Sequence, residues 1–283
     1  MMMLHDRIEQ LFAQPPDKLD RPAALQAFNE LRFFLNNGEV RAAVPSAAVG
    51  NVAGWIVNPW VKQGILLGFR LGEIADFSLS DSMRFFDKST LPLRKLTVDH
   101  HVRVVPGGSS VRDGAYLGPS VVMMPPAFIN IGAYVDAGTM IDSHALVGSC
   151  AQVGKRVHLS AGAQLGGVLE PVNGMPVIVE DDVFIGGNAG IFEGVIVKHH
   201  AVMAAGVLLT GSTPVYDVVN GKVLRGSRTA PLVIPEGAVI VPGTRPMSQP
   251  YAREQGLSAY AAIIVKYRDA RTDAATALEE SLR

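Results

Sequence analysis

The 283-residue sequence is poor in several features that define other classes of protein. It contains a single cysteine, Cys150, which excludes an internal disulfide and cannot supply a thiolate-rich zinc site. The formal net charge is -1, so the chain has no overall cationic field for nucleic acid or an anionic membrane. It has no apolar run long enough to cross a bilayer and no signal-peptide pattern. We therefore expect a cytoplasmic protein that binds no nucleic acid, membrane or structural metal.

Glycine and proline are abundant in a chain that is otherwise apolar. There are 29 glycines and 18 prolines, and 48% of the residues are hydrophobic, a composition that favours many tight turns in an ordered chain. The order of the apolar residues then decides the fold.

Aliphatic residues recur at every sixth position through most of the chain. The first series is Val111, Leu117, Met123, Ile129, Val135, Ile141, Val147, Val153, Leu159 and Leu165, and after an insertion the second is Val179, Ile185, Ile191, Val197, Met203 and Leu209. The residue four positions after each aliphatic is mostly alanine or threonine. This period is typical of a left-handed parallel β-helix, whose coils are triangular prisms with one aliphatic per side pointing inward. A coiled coil would need a period of seven.

The segments on either side of the repeat can cover its ends, which solenoids require. Helices are predicted from Leu4 to Phe12, from an N-cap at Asp20 to Gly38, and from Asn58-Pro59 to Leu71. After the repeat, which Ile234 and Ile240 extend, we expect a strand at Ala261 to Val265 and a helix from Thr272 to Arg283. The fold class is thus mainly β. Residues 1–100 form a helical or mixed domain, 101–242 the β-helix, and 243–283 a small C-terminal segment.

Several motifs are far more specific than the repeat. They are RVVP at 103–106, NIGAYVD at 130–136, GTMID at 138–142, VGSCAQVGKRVHL at 147–159, GGVLEP at 166–171, FIG at 184–186 and EGVIV at 193–197. Outside the repeat they are joined by RFFDK at 84–88 and IVK at 264–266. Through these motifs the chain resembles tetrahydrodipicolinate N-succinyltransferases over roughly residues 55–270.

This resemblance implies a function in lysine (diaminopimelate) biosynthesis. The enzyme would transfer a succinyl group from succinyl-CoA, its coenzyme A thioester co-substrate, to the amine of ring-opened tetrahydrodipicolinate. No permanently bound cofactor is expected. The resemblance also implies a homotrimer with active sites between adjacent subunits.

The resemblance assigns roles to two charged residues. Asp142 matches the catalytic aspartate, which can orient the substrate amine and help to remove its proton. On spacing alone, a turn residue like Asp136 is the favoured interpretation of Asp142, and the resemblance reverses that preference. Arg103 matches a substrate-binding position and can grip a carboxylate through two hydrogen bonds; otherwise it is an ordinary surface arginine.

Two positions depart from the family pattern. Gly190 stands where the family usually has a glutamate, which leaves a two-carboxylate mechanism open to question. His144 stands where a tryptophan is expected, and a histidine there could accept the proton or could simply be exposed.

Coenzyme A is expected along the outside of the coils, held by backbone amides beside small residues and by cations near its phosphates. The resemblance places Ala204, Ala205 and Gly206 in the first role. Lys266, and either Arg225 or Arg228, fit the second role, although each could equally be a solvated surface cation.

Other interpretations of the chain's function stay open. It could be a divergent relative that uses acetyl-CoA or a related amino-dicarboxylate, as in tabtoxin-type secondary metabolism, or a non-catalytic β-helix binding protein. Cys150 is interpreted as a small wall residue, His158 as structural, and His199-His200 as a solvated turn. Release of free thiol from an acyl-CoA would separate an enzyme from a binding protein.

Overall fold

The computed structural model describes residues 3–47, 54–227 and 230–269. Two predicted features lie outside this part of the chain: Arg228 and the helix between Thr272 and Arg283.

The N-terminal region is built from three helices and two short hairpins. The helices are α1 (Leu4–Phe12), α2 (Arg21–Asn36) and α3 (Pro59–Leu71), and the antiparallel strand pairs are β1 (Ala43–Pro45) with β2 (Trp55–Val57) and β3 (Ile74–Asp76) with β4 (Phe86–Lys88). The predicted N-cap of α2 is confirmed, because the Asp20 carboxylate accepts a hydrogen bond of 3.1 Å from the Ala23 amide. A short 3₁₀ helix, Val98–His100, leads into the solenoid.

Two glycines within α3 have a packing role. A Cβ atom added to Gly64 would collide with Leu31, and one added to Gly68 would collide with Phe28. Both partners belong to α2, so the glycines allow the two helices to approach more closely than side chains would permit. This close contact outweighs the low helix propensity of glycine.

The predicted β-helix is confirmed, and its two-residue strands stack in parallel on three faces. Sheet 1 contains β7 (Tyr116–Leu117), β10 (Tyr134–Val135), β13 (Gln152–Val153), β16 (Ile178–Val179), β19 (Ile196–Val197) and β24 (Val233–Ile234). Sheet 2 contains β5 (Arg103–Val104), β8 (Val122–Met123), β11 (Met140–Ile141), β14 (His158–Leu159), β17 (Phe184–Ile185) and β20 (Val202–Met203). Sheet 3 contains β6 (Ser110–Val111), β9 (Phe128–Ile129), β12 (Leu146–Val147), β15 (Gln164–Leu165), β18 (Gly190–Ile191) and β21 (Leu208–Leu209).

The second residue of each of these solenoid strands points into the prism, with the exception of β5. From Val111 to Leu209 the sixteen aliphatic residues of the repeat are buried and form one continuous core. The slot between them takes alanine, valine or Thr139, whose hydroxyl donates to the Gly154 carbonyl at 2.9 Å and accepts from the Val157 amide at 3.1 Å. A polar side chain is tolerated there because its hydrogen bonds are made.

The C-terminal part extends sheet 2. Strand β25 (Ala238–Pro246) pairs with β20 and then continues beyond the prism, where β26 (Ser258–Tyr267) pairs with it antiparallel. A helix, α4 (Pro250–Glu254), lies at the tip, and β26 also pairs with β22 (Val215–Asp217), which pairs with β23 (Lys222–Leu224). The predicted strand at 261–265 is therefore confirmed and is longer at both ends.

The N-terminal domain covers sheet 1 and the turns that lead into it. The guanidinium of Arg41 lies 3.7 Å from the centre of the Tyr134 ring and donates to Gln152 at 2.9 Å. Cys150 is buried in the same apolar cluster as the helices. Sheets 2 and 3 are left as the outer faces of the solenoid.

A lysine in α3 ties this domain to the insertion that follows β15. The Lys62 side chain is fully buried, and its ammonium group donates to the carbonyl of Gly174 at 2.6 Å. Burial lowers the pKa of this lysine, while the nearby Cys150 acts in the opposite direction. An isolated ammonium is costly to bury, so its contact with Gly174 constrains the loop.

The buried Cys150 leads to a prediction. Burial raises the pKa of the Cys150 thiol to about 12, and the thiolate is the reactive form. In the native protein at pH 8 we expect Cys150 to react with a disulfide reagent such as DTNB at least ~100-fold more slowly than in guanidinium. The measurement is the time course of absorbance, with Cys150→Ala as the background. Rapid stoichiometric labelling of the folded protein would contradict the packing described above.

Candidate functional site

Asp142 lies at the turn between sheets 2 and 3, immediately after β11. It is half-buried, and its carboxylate accepts a 2.6 Å hydrogen bond from the Ser143 amide. Asp136, at the turn between sheets 1 and 2, accepts a matching 2.7 Å bond from the Ala137 amide. The local geometry of the two aspartates is therefore the same, and only their surroundings distinguish them.

The turn that contains Asp142 and the three turns stacked above it form a column of mostly short side chains, which we call the small-residue edge. It consists of residues 142–144, 160–162, 186–188 and 204–206. The last residue of each turn has a left-handed backbone: φ is 62° at His144, 54° at Asn188 and 74° at Gly206. The amide of each turn's third residue donates to the turn below, as Gly206 does to the carbonyl of Gly187 at 3.0 Å.

The small-residue edge brings together two sets of residues that the sequence predicted separately. Asp142 and Ala204 occupy equivalent positions three coils apart, about 14 Å at the usual strand spacing. His144 is exposed on the same edge, where its carbonyl accepts from Gln164 at 3.1 Å. The predicted catalytic pair and the predicted coenzyme A segment 204–206 therefore share one edge of the prism.

The two predicted cations lie toward opposite ends of sheet 2. Arg103 is exposed on β5, two strands below Met140 and thus about 10 Å from it along the prism axis. Lys266 lies on β26 opposite Val239, two strands beyond β20, and its ammonium contacts Asp269 at 3.1 Å. Arg225 is exposed after β23. One chain does not gather these cations into a single pocket.

The space beside Gly190 is already occupied. Gly190 faces outward on β18, and a Cβ atom there would lie 2.5 Å from Cε2 of Phe192 and 3.0 Å from Cδ2 of Leu208. Phe192 is not among the site residues expected from the sequence. The available signal was its position two residues after Gly190, which in an extended strand puts both on the same side.

A cleft of about 700 Å³ lies at the other edge of sheet 3, where the insertion begins. It is lined by the insertion residues Gly166, Pro171 and Met175, together with Phe192 and Glu193. Glu193 also accepts a 3.1 Å hydrogen bond from the Gly211 amide, which fixes its carboxylate. Sheet 3 separates this cleft from Asp142, so one chain presents them on two different edges.

The two adjacent histidines are more than a solvated turn. His199 contacts the Glu236 carboxylate at 2.6 Å and lies 3.7 Å from that of Glu180. Burial acts to raise the pKa of Glu180, but hydrogen bonds from Lys198 and Trp55 outweigh it and lower the pKa overall. His158 is buried and its ring lies 5.0 Å from that of Phe184, in line with a structural role.

Within residues 3–47, 54–227 and 230–269, no three His, Cys, Asp or Glu side chains converge so as to hold a metal ion. In the same part of the chain no helix combines the length and apolarity needed to traverse a bilayer.

Two family models match the chain. Residues 3–71 match the N-terminal region of tetrahydrodipicolinate N-succinyltransferase, and residues 176–211 match the hexapeptide repeat of succinyl-transferase. These matches cover the helical domain that packs on sheet 1 and the upper coils of the solenoid.

Curated relatives extend the similarity over nearly the whole chain. The chain is 45% identical to a protein of Herminiimonas arsenicoxydans over 88% of its own length and 86% of the relative's. It is 47% identical to one of Ralstonia nicotianae, covering 81% and 80%, and 41% identical to one of Acinetobacter baylyi, covering 100% and 99%. All three bear the name 2,3,4,5-tetrahydropyridine-2,6-dicarboxylate N-succinyltransferase. The chain thus belongs to the 2,3,4,5-tetrahydropyridine-2,6-dicarboxylate N-succinyltransferase family.

Proposed function

We propose that the protein transfers the succinyl group of succinyl-CoA to the amine of ring-opened tetrahydrodipicolinate, a step of lysine biosynthesis through diaminopimelate. The observation that carries this proposal is the 41–47% identity, over at least four-fifths of the chain, to enzymes named for this activity. The small-residue edge supports it, since it offers exposed backbone beside a half-buried carboxylate.

In the proposed reaction the substrate amine attacks the thioester directly. Asp142 orients the amine and helps to remove its proton, and a backbone amide stabilises the oxyanion that develops on the thioester carbonyl. Arg103 holds a carboxylate of the acceptor. Cys150 does not carry the acyl group, because its thiol is fully buried and its pKa is raised to about 12.

We propose that coenzyme A lies along the small-residue edge. Residues 204–206 carry no long side chain, and Ala205 and Gly206 are exposed, so a ligand can approach this backbone closely. The amides of Ala204 and Gly206 already donate to the carbonyls of Ile240 and Gly187, so the Ala205 amide is the proposed donor to the ligand. Lys266 lies two strands from Val202. Its ammonium group would exchange the Asp269 carboxylate for the phosphates of coenzyme A. His144 is a second candidate for the proton acceptor, since it is exposed two residues from Asp142.

The active site is proposed to be completed between subunits of a homotrimer. Asp142 and the Gly190–Phe192 segment lie at different edges of sheet 3, so a neighbouring copy is needed to bring one against the other. An interface is also supported by the exposed apolar side chains around the β3–β4 hairpin. These are Ile74, Leu79, Met83, Phe85 and Phe86.

The first test replaces the proposed catalytic carboxylate. Asp142→Asn keeps the size of the side chain but removes its charge, so we expect kcat to fall by about 100-fold or more. Asp136→Asn is the matched control, because Asp136 makes the same turn hydrogen bond at another edge; its kcat should stay near the wild-type value. Near-normal turnover by Asp142→Asn in a free-thiol assay would rule out the proposed role.

The second test places a charge on the proposed coenzyme A path. Ala205→Glu puts a carboxylate near the donor's phosphates, and because Ala205 is exposed the fold should tolerate it. We expect KM for the acyl-CoA to rise by about tenfold with little change in kcat. This result corresponds to the loss of ~1.4 kcal/mol of binding free energy from the ground state and the transition state alike. Ala137→Glu, at the equivalent turn position between sheets 1 and 2, is the control. Equal effects of the two changes would argue against this path.

The third test compares donors, because a glycine at position 190 is also compatible with a relative that uses a different donor or acceptor. With an amino-dicarboxylate acceptor, we expect kcat/KM for succinyl-CoA to exceed that for acetyl-CoA by at least ~100-fold, since a donor-binding site built for a carboxylate rejects an analogue without one. A preference for acetyl-CoA would favour the tabtoxin-type alternative. Thiol release from neither donor would favour a binding protein.

A further inference from the structure

The Phe192 side chain has an unusual setting at the edge of sheet 3. Its ring lies against the backbone of two glycines. A Cβ atom on Gly190 would be 2.5 Å from Cε2 and 2.9 Å from Cζ of the ring, and one on Gly166 would be 2.7 Å from Cδ1. These distances are shorter than real carbon contacts, so the ring fits where it does only because both neighbours lack a side chain.

This placement makes the outer surface of sheet 3 apolar at this point. Leu208 lies on the other side of Gly190, with its Cδ2 atom 3.0 Å from the position of a Cβ. Neither Phe192 nor Leu208 has a polar side-chain atom, and the β18 amide of Gly190 already donates to the Val207 carbonyl at 2.9 Å. The side chains of Phe192 and Leu208 therefore offer no hydrogen-bond partner to a ligand that contacts them.

The ring also borders the 700 Å³ cleft. It lines this space together with the insertion residues Pro171 and Met175 and remains half-buried. Gly174 lines the same cleft, and its carbonyl is held by the buried ammonium of Lys62 at 2.6 Å. The part of the insertion that lines the cleft is therefore anchored to the N-terminal helices. A binding site must be held rigidly in this way if it is to select ligands by shape.

We propose that the 700 Å³ cleft forms the acceptor pocket, which a neighbouring copy completes by presenting its Asp142 edge, and that Phe192 is a specificity-determining residue of this pocket. Its ring contacts the aliphatic chain between the two carboxylates of the acceptor, which favours an unsubstituted chain over one with a hydroxyl or charged group. The physical reason is that a polar substituent pressed against the ring would lose its hydrogen bonds to water without replacement. This inference rests on the proposed function, because it concerns the acceptor of that reaction.

The experiment compares two acceptors with the full-length protein and succinyl-CoA. One acceptor is 2-aminopimelate, whose chain is unsubstituted, and the other is its 4-hydroxy derivative. The wild-type protein should prefer 2-aminopimelate in kcat/KM. In Phe192→Ala we expect this preference to fall by about tenfold, mainly through a higher KM for 2-aminopimelate.

A second variant moves the ring without removing it. The added methyl group of Gly190→Ala would displace the Phe192 ring, so it should reduce the preference in the same direction. In the Phe192→Ala background the same change should have little further effect, because the ring it displaces is gone. Phe33→Ala is the control, since Phe33 is 60% exposed on α2.

The outcomes separate this inference from the proposed function. If the wild-type protein acylates no amino-dicarboxylate, the proposed function fails and the inference fails with it. If the wild type is active and the preference is unchanged in Phe192→Ala and in Gly190→Ala, only the role of Phe192 is overturned. If Phe192→Ala lowers the melting temperature, Phe192→Leu replaces it in the same comparison, because it keeps an apolar side chain but not the ring.

Discussion

The width of the triangular prism is the constraint on which the rest of the structure depends. Each side admits one aliphatic side chain and one smaller residue, mostly alanine or valine, and this requirement produces the six-residue period of the sequence. It also fixes the corners, because every turn must lead the chain onto the next face at the same distance from the axis. Residues far apart in the chain are therefore held in columns along three edges, and the proposed site residues are distributed along those edges.

Much of this arrangement could be predicted from the sequence. Asp142 and Ala204 are 62 residues apart, yet they lie on one edge because coils of eighteen residues and a single insertion restore the phase of the repeat. The N-cap at Asp20 and the helix start at Asn58-Pro59 could also be predicted, from local chemistry. Periodicity determines a solenoid almost completely because each coil contacts only its neighbours.

The candidate site was less accessible to prediction. The sequence flagged Gly190 as a departure from the family pattern, but the meaning of that glycine depends on Phe192, Gly166 and Leu208, which come from three different coils. Motif resemblance assigned roles to Arg103, Asp142 and Lys266 one at a time. A sequence motif does not specify how far apart two residues lie in the fold. The separation of these residues along the axis of the prism is therefore known only from the stacking of the strands.

The buried ammonium of Lys62 has a consequence for how a ligand would enter the cleft. If the insertion loop swung outward, Gly174 would leave and a cation in an apolar cluster would lose the acceptor described for it. Such an opening is energetically unfavourable compared with movement of an exposed loop. The proposed acceptor pocket is accordingly formed before its ligand binds, and the selectivity proposed at this edge depends on the shape that the cleft already has in the unliganded protein.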